Sequence, residues 1–141
     1  RSAKGEKFIT LFLGKYNYLT RKLLYINAGH NPPLLYKADS KEILHLTNGS
    51  VGMGMLDEIP TLKSGSLKVT EKSKLFCYTD GLVELVDDEG VSFGTKQVEK
   101  DLANSKDIDE NISTIIKKHK ILEGSTAIFD DISIIGMQFY K

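Results

Sequence analysis

The chain is poor in the residues on which several kinds of chemistry depend. Its single cysteine, Cys77, excludes an intrachain disulfide, and no Cys/His cluster with zinc-ligand spacing is present. Arginine occurs only at positions 1 and 21. A cysteine-based phosphatase needs an arginine shortly after its cysteine to hold phosphate with two parallel bonds, so Cys77 reads as a core residue. Excess charge of either sign is missing too. Nineteen Lys and Arg balance nineteen Asp and Glu without gathering into a cationic stripe, which excludes the footprint of a nucleic-acid binder. No apolar run approaches the length of a membrane span or resembles a signal peptide. The expected setting is reducing and cytoplasmic, without membrane insertion.

What is present is a succession of short apolar runs. At 141 residues the chain is long enough for one domain with a buried core. It opens on Arg1 and reaches a strand-like run, Phe8 to Leu13, within a few residues, which reads as a chain entered midway through a domain. Phe8 to Gly14 and Leu23 to Ala28 are expected to pair antiparallel across a polar loop, Lys15 to Lys22. After the turn cluster Asn27-Ala28-Gly29-His30-Asn31-Pro32-Pro33, strands at Leu34 to Lys37 and Glu42 to Leu46 are expected to continue the meander. Asn48 to Asp57 carries three glycines, but neither the Lys-Ser/Thr nor the helix of a phosphate-binding loop follows, so it reads as an ordinary loop.

Ser66 to Thr70 and Lys74 to Thr79 read as further strands, the second apolar enough to be buried on both faces. Leu82 to Val86 reads as extended, ending in the acidic turn Asp87-Asp88-Glu89-Gly90. The period then changes. Thr95 to Ala103 spaces Val98 and Leu102 as in a short surface helix. A clearer helix begins at Asp107, which with Glu110 has capping-box spacing. Ile108, Ile112, Ile115, Ile116, His119 and Leu122 share one face of it, directed at a sheet, and Gly124 ends it. A last strand, Ile132 to Tyr140, closes an α+β pattern with a largely antiparallel sheet.

Two places carry concentrated acid at strand ends. Asp80, in Thr79-Asp80-Gly81, ends one buried strand, and Asp130-Asp131 precede another. Antiparallel neighbours bring the end of one strand beside the start of the next, so these carboxylates are expected at one sheet edge. With no Arg or Lys paired to them they would repel, a situation that favours a hard divalent cation such as Mg²⁺ or Mn²⁺. The alternatives are an Asp-Gly hairpin turn and solvated loop carboxylates. His30 either lines a site or is a hydrogen-bonded turn histidine; His45 and His119 read as structural.

Asn27-Ala28-Gly29-His30 with Pro32-Pro33, Tyr78-Thr79-Asp80-Gly81 with Glu84 and Phe93-Gly94, and Asp130-Asp131-Ile132 occur in this order across nearly the whole chain. Together they resemble the stage II sporulation protein E branch of the 2C-type, metal-dependent Ser/Thr phosphatases. The resemblance implies a four-layer α-β-β-α sandwich of which residues 1–141 form the C-terminal portion, incomplete at the N-terminal side. It implies that Asp80 and Asp130 are catalytic metal ligands for two Mn²⁺ or Mg²⁺ ions, with Asp131 and Gly81 as supporting neighbours. It also implies a phosphoserine or phosphothreonine protein as substrate, of the anti-sigma-factor antagonist kind, and an upstream sensor or regulatory domain. The family's bridging aspartates, in a Gly-Asp motif and an Asp-rich segment ending in Gly-His-Gly, have no counterpart here. This fragment alone is therefore expected to be inactive, and the rival expectation is a non-catalytic phosphatase-like interaction module.

Overall fold

A computed structural model describes residues 10–47, 49, 50, 64–119, 121 and 131–140. In chain order the strands are β1 (Leu11–Asn17), β2 (Lys22–Ala28), β3 (Leu34–Lys37), β4 (Ile43–His45), β5 (Gly49–Ser50), β6 (Ser64–Lys68) and β7 (Ser73–Tyr78). Helices α1 (Asp80–Val83), α2 (Gly94–Leu102) and α3 (Ile108–Lys118) follow, before β8 (Ile134–Phe139). They fall into two compact units, one of residues 1–32 and 45–70, the other of residues 33–44 and 71–141. No helix among the described residues is long and apolar enough to cross a membrane.

The first unit is built on β2. Strands β1 and β2 pair antiparallel from Leu11 opposite Ala28 to Asn17 opposite Lys22. The expected loop is shorter than Lys15 to Lys22, because Tyr16 keeps its place in the alternation and the strand runs on to Asn17. There the Asn17 Oδ1 accepts the N–H groups of Leu19 and Thr20 at 3.0 and 3.2 Å, a side chain substituting for backbone in a tight turn. On the other edge of β2 lie β6, antiparallel along Lys22 to Ile26, and β5, parallel at Asn27 and Ala28. One face of β2 is buried through Leu23 and Tyr25, the Tyr25 ring stacking on Phe12 at 5.9 Å. Gly65 faces it on β6, and the ring occupies the space a Cβ would need. The expected loop Asn48 to Asp57 lies outside the described residues except for Gly49 and Ser50, which are β5.

The meander expectation fails at Pro32-Pro33. Strand β3 does not continue the first sheet; it belongs to a second, ordered β4-β3-β7-β8. Two successive residues without N–H groups cannot continue a ladder, and the chain passes there from the first unit to the second.

In the second unit β7 is central, antiparallel to β3 on one side and to β8 on the other. As its apolar run predicts, it is buried at every position except the half-buried Cys77. Helix α3 lies on β8 through a gap in the strand's side chains. A Cβ on Gly136 would stand 2.5 Å from Ile108 Cγ1 and 2.8 Å from Ile112 Cδ1, so only glycine lets the helix approach this closely. Ile108 and Ile115 are buried on that face as expected. The helix closes at His119, its C-cap, before the expected Gly124; Leu122 and Gly124 lie outside the described residues. The capping box is also absent. Asp107 occupies the N-cap, but its side chain makes no capping bond; it lies 3.7 Å from Lys72 Nζ, and the Ile108 N–H donates instead to Gln138 Oε1 at 2.8 Å.

A second correction concerns Leu82 to Val86. The chain after Asp80 makes one helical turn, α1, before it extends. Leu82 and Leu85 are both fully buried in one cluster with Phe76 and Leu102. Residues three apart share a face in a helical turn and take opposite faces in a strand, so the core selects the turn. The acidic turn beyond forms as expected. Asp87 Oδ1 accepts the N–H groups of Glu89 and Val91, each at 2.9 Å, and Gly90 supplies a φ of +81°.

Candidate functional site

Strand β7 ends at Tyr78 opposite Ile134, the first residue of β8, so the end of one strand does lie beside the start of the other. Thr79 prolongs this junction. Its N–H donates to the Ser133 carbonyl at 3.1 Å, and its hydroxyl accepts the Ser133 N–H at 2.9 Å while donating to the Asp131 carbonyl at 3.1 Å. Asp80 follows as the first residue of α1 and is exposed; Asp131 is also exposed. Gly81 is buried within α1, so it serves a helical turn rather than the hairpin turn that Asp-Gly also allows. Asp130 lies outside the described residues.

The electrostatics of this end of β7 are felt by Tyr78. Burial is the largest influence raising its phenol above the ordinary range, and the negative charges of Glu99 and Asp80 add to it against a hydrogen bond with Thr95. The donor set suits a hard cation in kind. Asp80 and Asp131 bring carboxylates to one edge, and the Thr79 hydroxyl is committed to backbone. No three His, Cys, Asp or Glu side chains among the described residues converge closely enough to hold a metal ion. The described part of the edge therefore supplies only a fraction of a coordination sphere.

The other candidates take structural places. Burial pushes the Cys77 thiol up to about 11, which keeps it protonated at neutral pH and unsuited to nucleophilic attack, in line with a core residue. His30 is a hydrogen-bonded turn histidine: its N–H donates to Asn27 Oδ1 at 2.8 Å, and its Nδ1 lies 2.9 Å from the Asn31 carbonyl. His45 is exposed on β4. His119 is buried with its ring 3.8 Å from that of Phe93 and Nε2 3.6 Å from Asp101 Oδ2; burial lowers its pKa in spite of Asp101.

Lys74 is the residue that sequence reasoning missed. It is 3% exposed, and its ammonium donates to Asn111 Oδ1 at 2.6 Å, the Lys106 carbonyl at 3.0 Å, and the carbonyl and Oδ1 of Asn104, both at 3.2 Å. The Tyr36 ring lies 5.0 Å away. The signal was present in the alternation of β7, which puts Lys74 on the same face as the fully buried Phe76.

The family model described as Stage II sporulation protein E (SpoIIE) matches residues 1–140. Protein IcfG of Synechocystis sp. is 33% identical over 135 residues, covering 92% of this chain and 20% of that protein. Phosphoserine phosphatase RsbP of Bacillus subtilis is 35% identical over 83 residues, covering 57% of this chain and 20% of that protein. The chain thus spans about a fifth of the length of these curated relatives. Among solved structures, the SiaA-PP2C domain of Pseudomonas aeruginosa superposes with a TM-score of 0.71 at 19% identity, over 91% of this chain and 50% of that one. RsbX in complex with magnesium gives 0.69 at 19% identity, over 97% of this chain and 59% of that one. These likenesses establish the fold: mixed α and β with largely antiparallel sheets, as in a 2C-type phosphatase domain, here in part.

Proposed function

This chain belongs to the stage II sporulation protein E family, and on that premise we propose that it forms the C-terminal portion of a metal-dependent protein serine/threonine phosphatase domain in its parent protein. The observation that carries the proposal is the junction of β7 and β8, where Thr79 ties the segment bearing Asp80 to that bearing Asp131. Asp80 and Asp130 are the proposed catalytic metal ligands, with Asp131 and Gly81 beside them. The remaining ligands come from outside residues 1–141, so the fragment alone is inactive. Asp80 and Asp130 would hold Mg²⁺ or Mn²⁺, which would provide a water of lowered pKa and positive charge to offset that on the phosphoryl group. The chain's own part is to hold oxygen donors at a fixed edge, and no side-chain nucleophile is needed, consistent with a protonated Cys77.

The substrate is a phosphoserine or phosphothreonine protein, and a phosphorylated anti-sigma-factor antagonist in a partner-switching pathway is the finer proposal. The names of RsbP and of the magnesium complex of RsbX support phosphoserine and Mg²⁺ respectively. The test is Mn²⁺-dependent release of phosphate from a phosphoserine protein by the full-length parent and its Asp80→Asn variant. The variant is expected to lose at least about 100-fold, the scale on which electrostatic groups at a reacting centre act. Equal rates would remove Asp80 from the machinery, and no turnover by either would leave the interaction-module reading.

A further inference from the structure

Thr79 stands at the N-cap of α1, with extended backbone at φ −98° and ψ 165°. A threonine in that position ordinarily turns its hydroxyl back to accept an N–H of the helix it precedes. Here it makes no such bond. Its oxygen instead reaches across to the approach of β8, accepting the Ser133 N–H at 2.9 Å and donating to the Asp131 carbonyl at 3.1 Å. Both groups lie before Ile134, outside the β7–β8 ladder proper. One hydroxyl thus meets a donor and an acceptor on a stretch 52 residues away in sequence. Its own backbone N–H adds a third bond to the same stretch, at the Ser133 carbonyl.

We infer that Thr79 is a positioning residue, whose hydroxyl sets the separation between the start of α1, which carries Asp80, and the backbone at Asp131 and Ser133. The inference rests on the metal-site reading above and adds a specific cause for the spacing of its ligands. The Thr79 backbone N–H reaches only Ser133, and the hydroxyl extends the tie to the Asp131 carbonyl. Groups that orient metal ligands without touching the metal typically affect metal affinity or activity 10- to 100-fold.

The test compares Thr79→Val, isosteric but without the hydroxyl, with Thr79→Ser, which keeps it, and with Asp80→Asn, all in the full-length parent protein. Free Mn²⁺ is followed by electron paramagnetic resonance during titration, and amide exchange at Ser133 is measured without metal. Thr79→Val is expected to weaken Mn²⁺ binding by about 10- to 100-fold and to speed exchange at Ser133, with Thr79→Ser within about 3-fold of wild type. Wild-type affinity in Thr79→Val alongside lost affinity in Asp80→Asn overturns the inference and leaves the metal site standing. Equal losses in the valine and serine variants also overturn it, since the hydroxyl would not be the cause. Wild-type affinity in Asp80→Asn overturns the reading on which the inference rests. Thr79→Ala removes the same hydroxyl and carries the test if the valine variant does not fold.

Discussion

Replacing Lys74 by methionine should change the pH dependence of stability in a direction the structure determines. Burial is the main influence that lowers the Lys74 ammonium from 10.5 to about 8, with the neighbouring Lys72 adding to it and Asp107 opposing. Between pH 8 and 10.5 the folded state has released a proton that the unfolded state still holds. Stability therefore rises with pH through that window and is flat below it. The gap corresponds to about 3 kcal/mol as an upper bound, because the oxygens accepting from Nζ favour the charged form and work against burial. Methionine abolishes this rise. It also leaves Asn111 Oδ1, on a side chain 2% exposed, without its 2.6 Å donor, at a cost of about 1–3 kcal/mol at any pH. Asn104 Oδ1 is better placed, since it keeps the N–H of Lys106 and the Nδ2 of Asn111, each at 3.0 Å.

Chemical denaturation at pH 7, 8, 9 and 10 measures both effects. The wild type should exceed Lys74→Met at pH 7, and the difference should widen upward from pH 8. Contributions common to both proteins cancel in the difference. Parallel curves, or a difference that narrows with pH, would refute the assignment of Lys74 as a buried, reluctantly charged ammonium.

Gly136→Ala should destabilise by about 1–3 kcal/mol, because the new methyl meets Ile108 and Ile112 and α3 must shift. Gly90→Ala meets nothing within 4 Å and should cost about 1 kcal/mol through its φ of +81° alone. Urea midpoints of the two variants should keep that order, and a reversal would count against the close packing of α3 on β8. His119, lowered chiefly by burial, is protonated more readily in the unfolded chain than in the folded one, so stability should fall as pH drops below 6.5. His119→Gln should lose less between pH 7.5 and 5.5 in the same denaturation measurement; equal losses would show that the ring is not the titrating group.

What could be read from sequence was whatever depended on local pattern. Strand β3 has its expected bounds, Leu34 to Lys37, because two prolines delimit it on one side. Strand β7 is buried as its apolar run implies, and α3 buries the face its isoleucines trace. That the end of β7 lies beside the start of β8 was accessible as well, because it needs only strand direction and antiparallel order. What could not be read depended on partners far along the chain. The assignment of β3 to a second sheet rests on its pairing with β7, and the helical turn after Asp80 is imposed by the core around Leu82 and Leu85. Lys74 looks like a surface lysine until Asn104, Lys106 and Asn111 are placed around it. The Asp107 side chain has the right spacing for a cap and a lysine nearby that draws it elsewhere.

The distance in sequence between Thr79 and Asp131, 52 residues, has a consequence for the order of events during synthesis. The β1–β2 hairpin closes over a short turn, and such hairpins form within microseconds. Pairing of β7 with β8 must wait for a long loop to close, and on the ribosome it must also wait until residues 131–139 have emerged, at about 5–20 residues per second. For several seconds a nascent chain therefore shows β7, an inner and largely buried strand of its sheet, with one edge unpaired, a surface that chaperones bind and that aggregates in their absence. The acidic edge is among the last features of the chain to assemble, so a translation product stopped short of β8 carries Asp80 without the neighbours that Thr79 would bring to it.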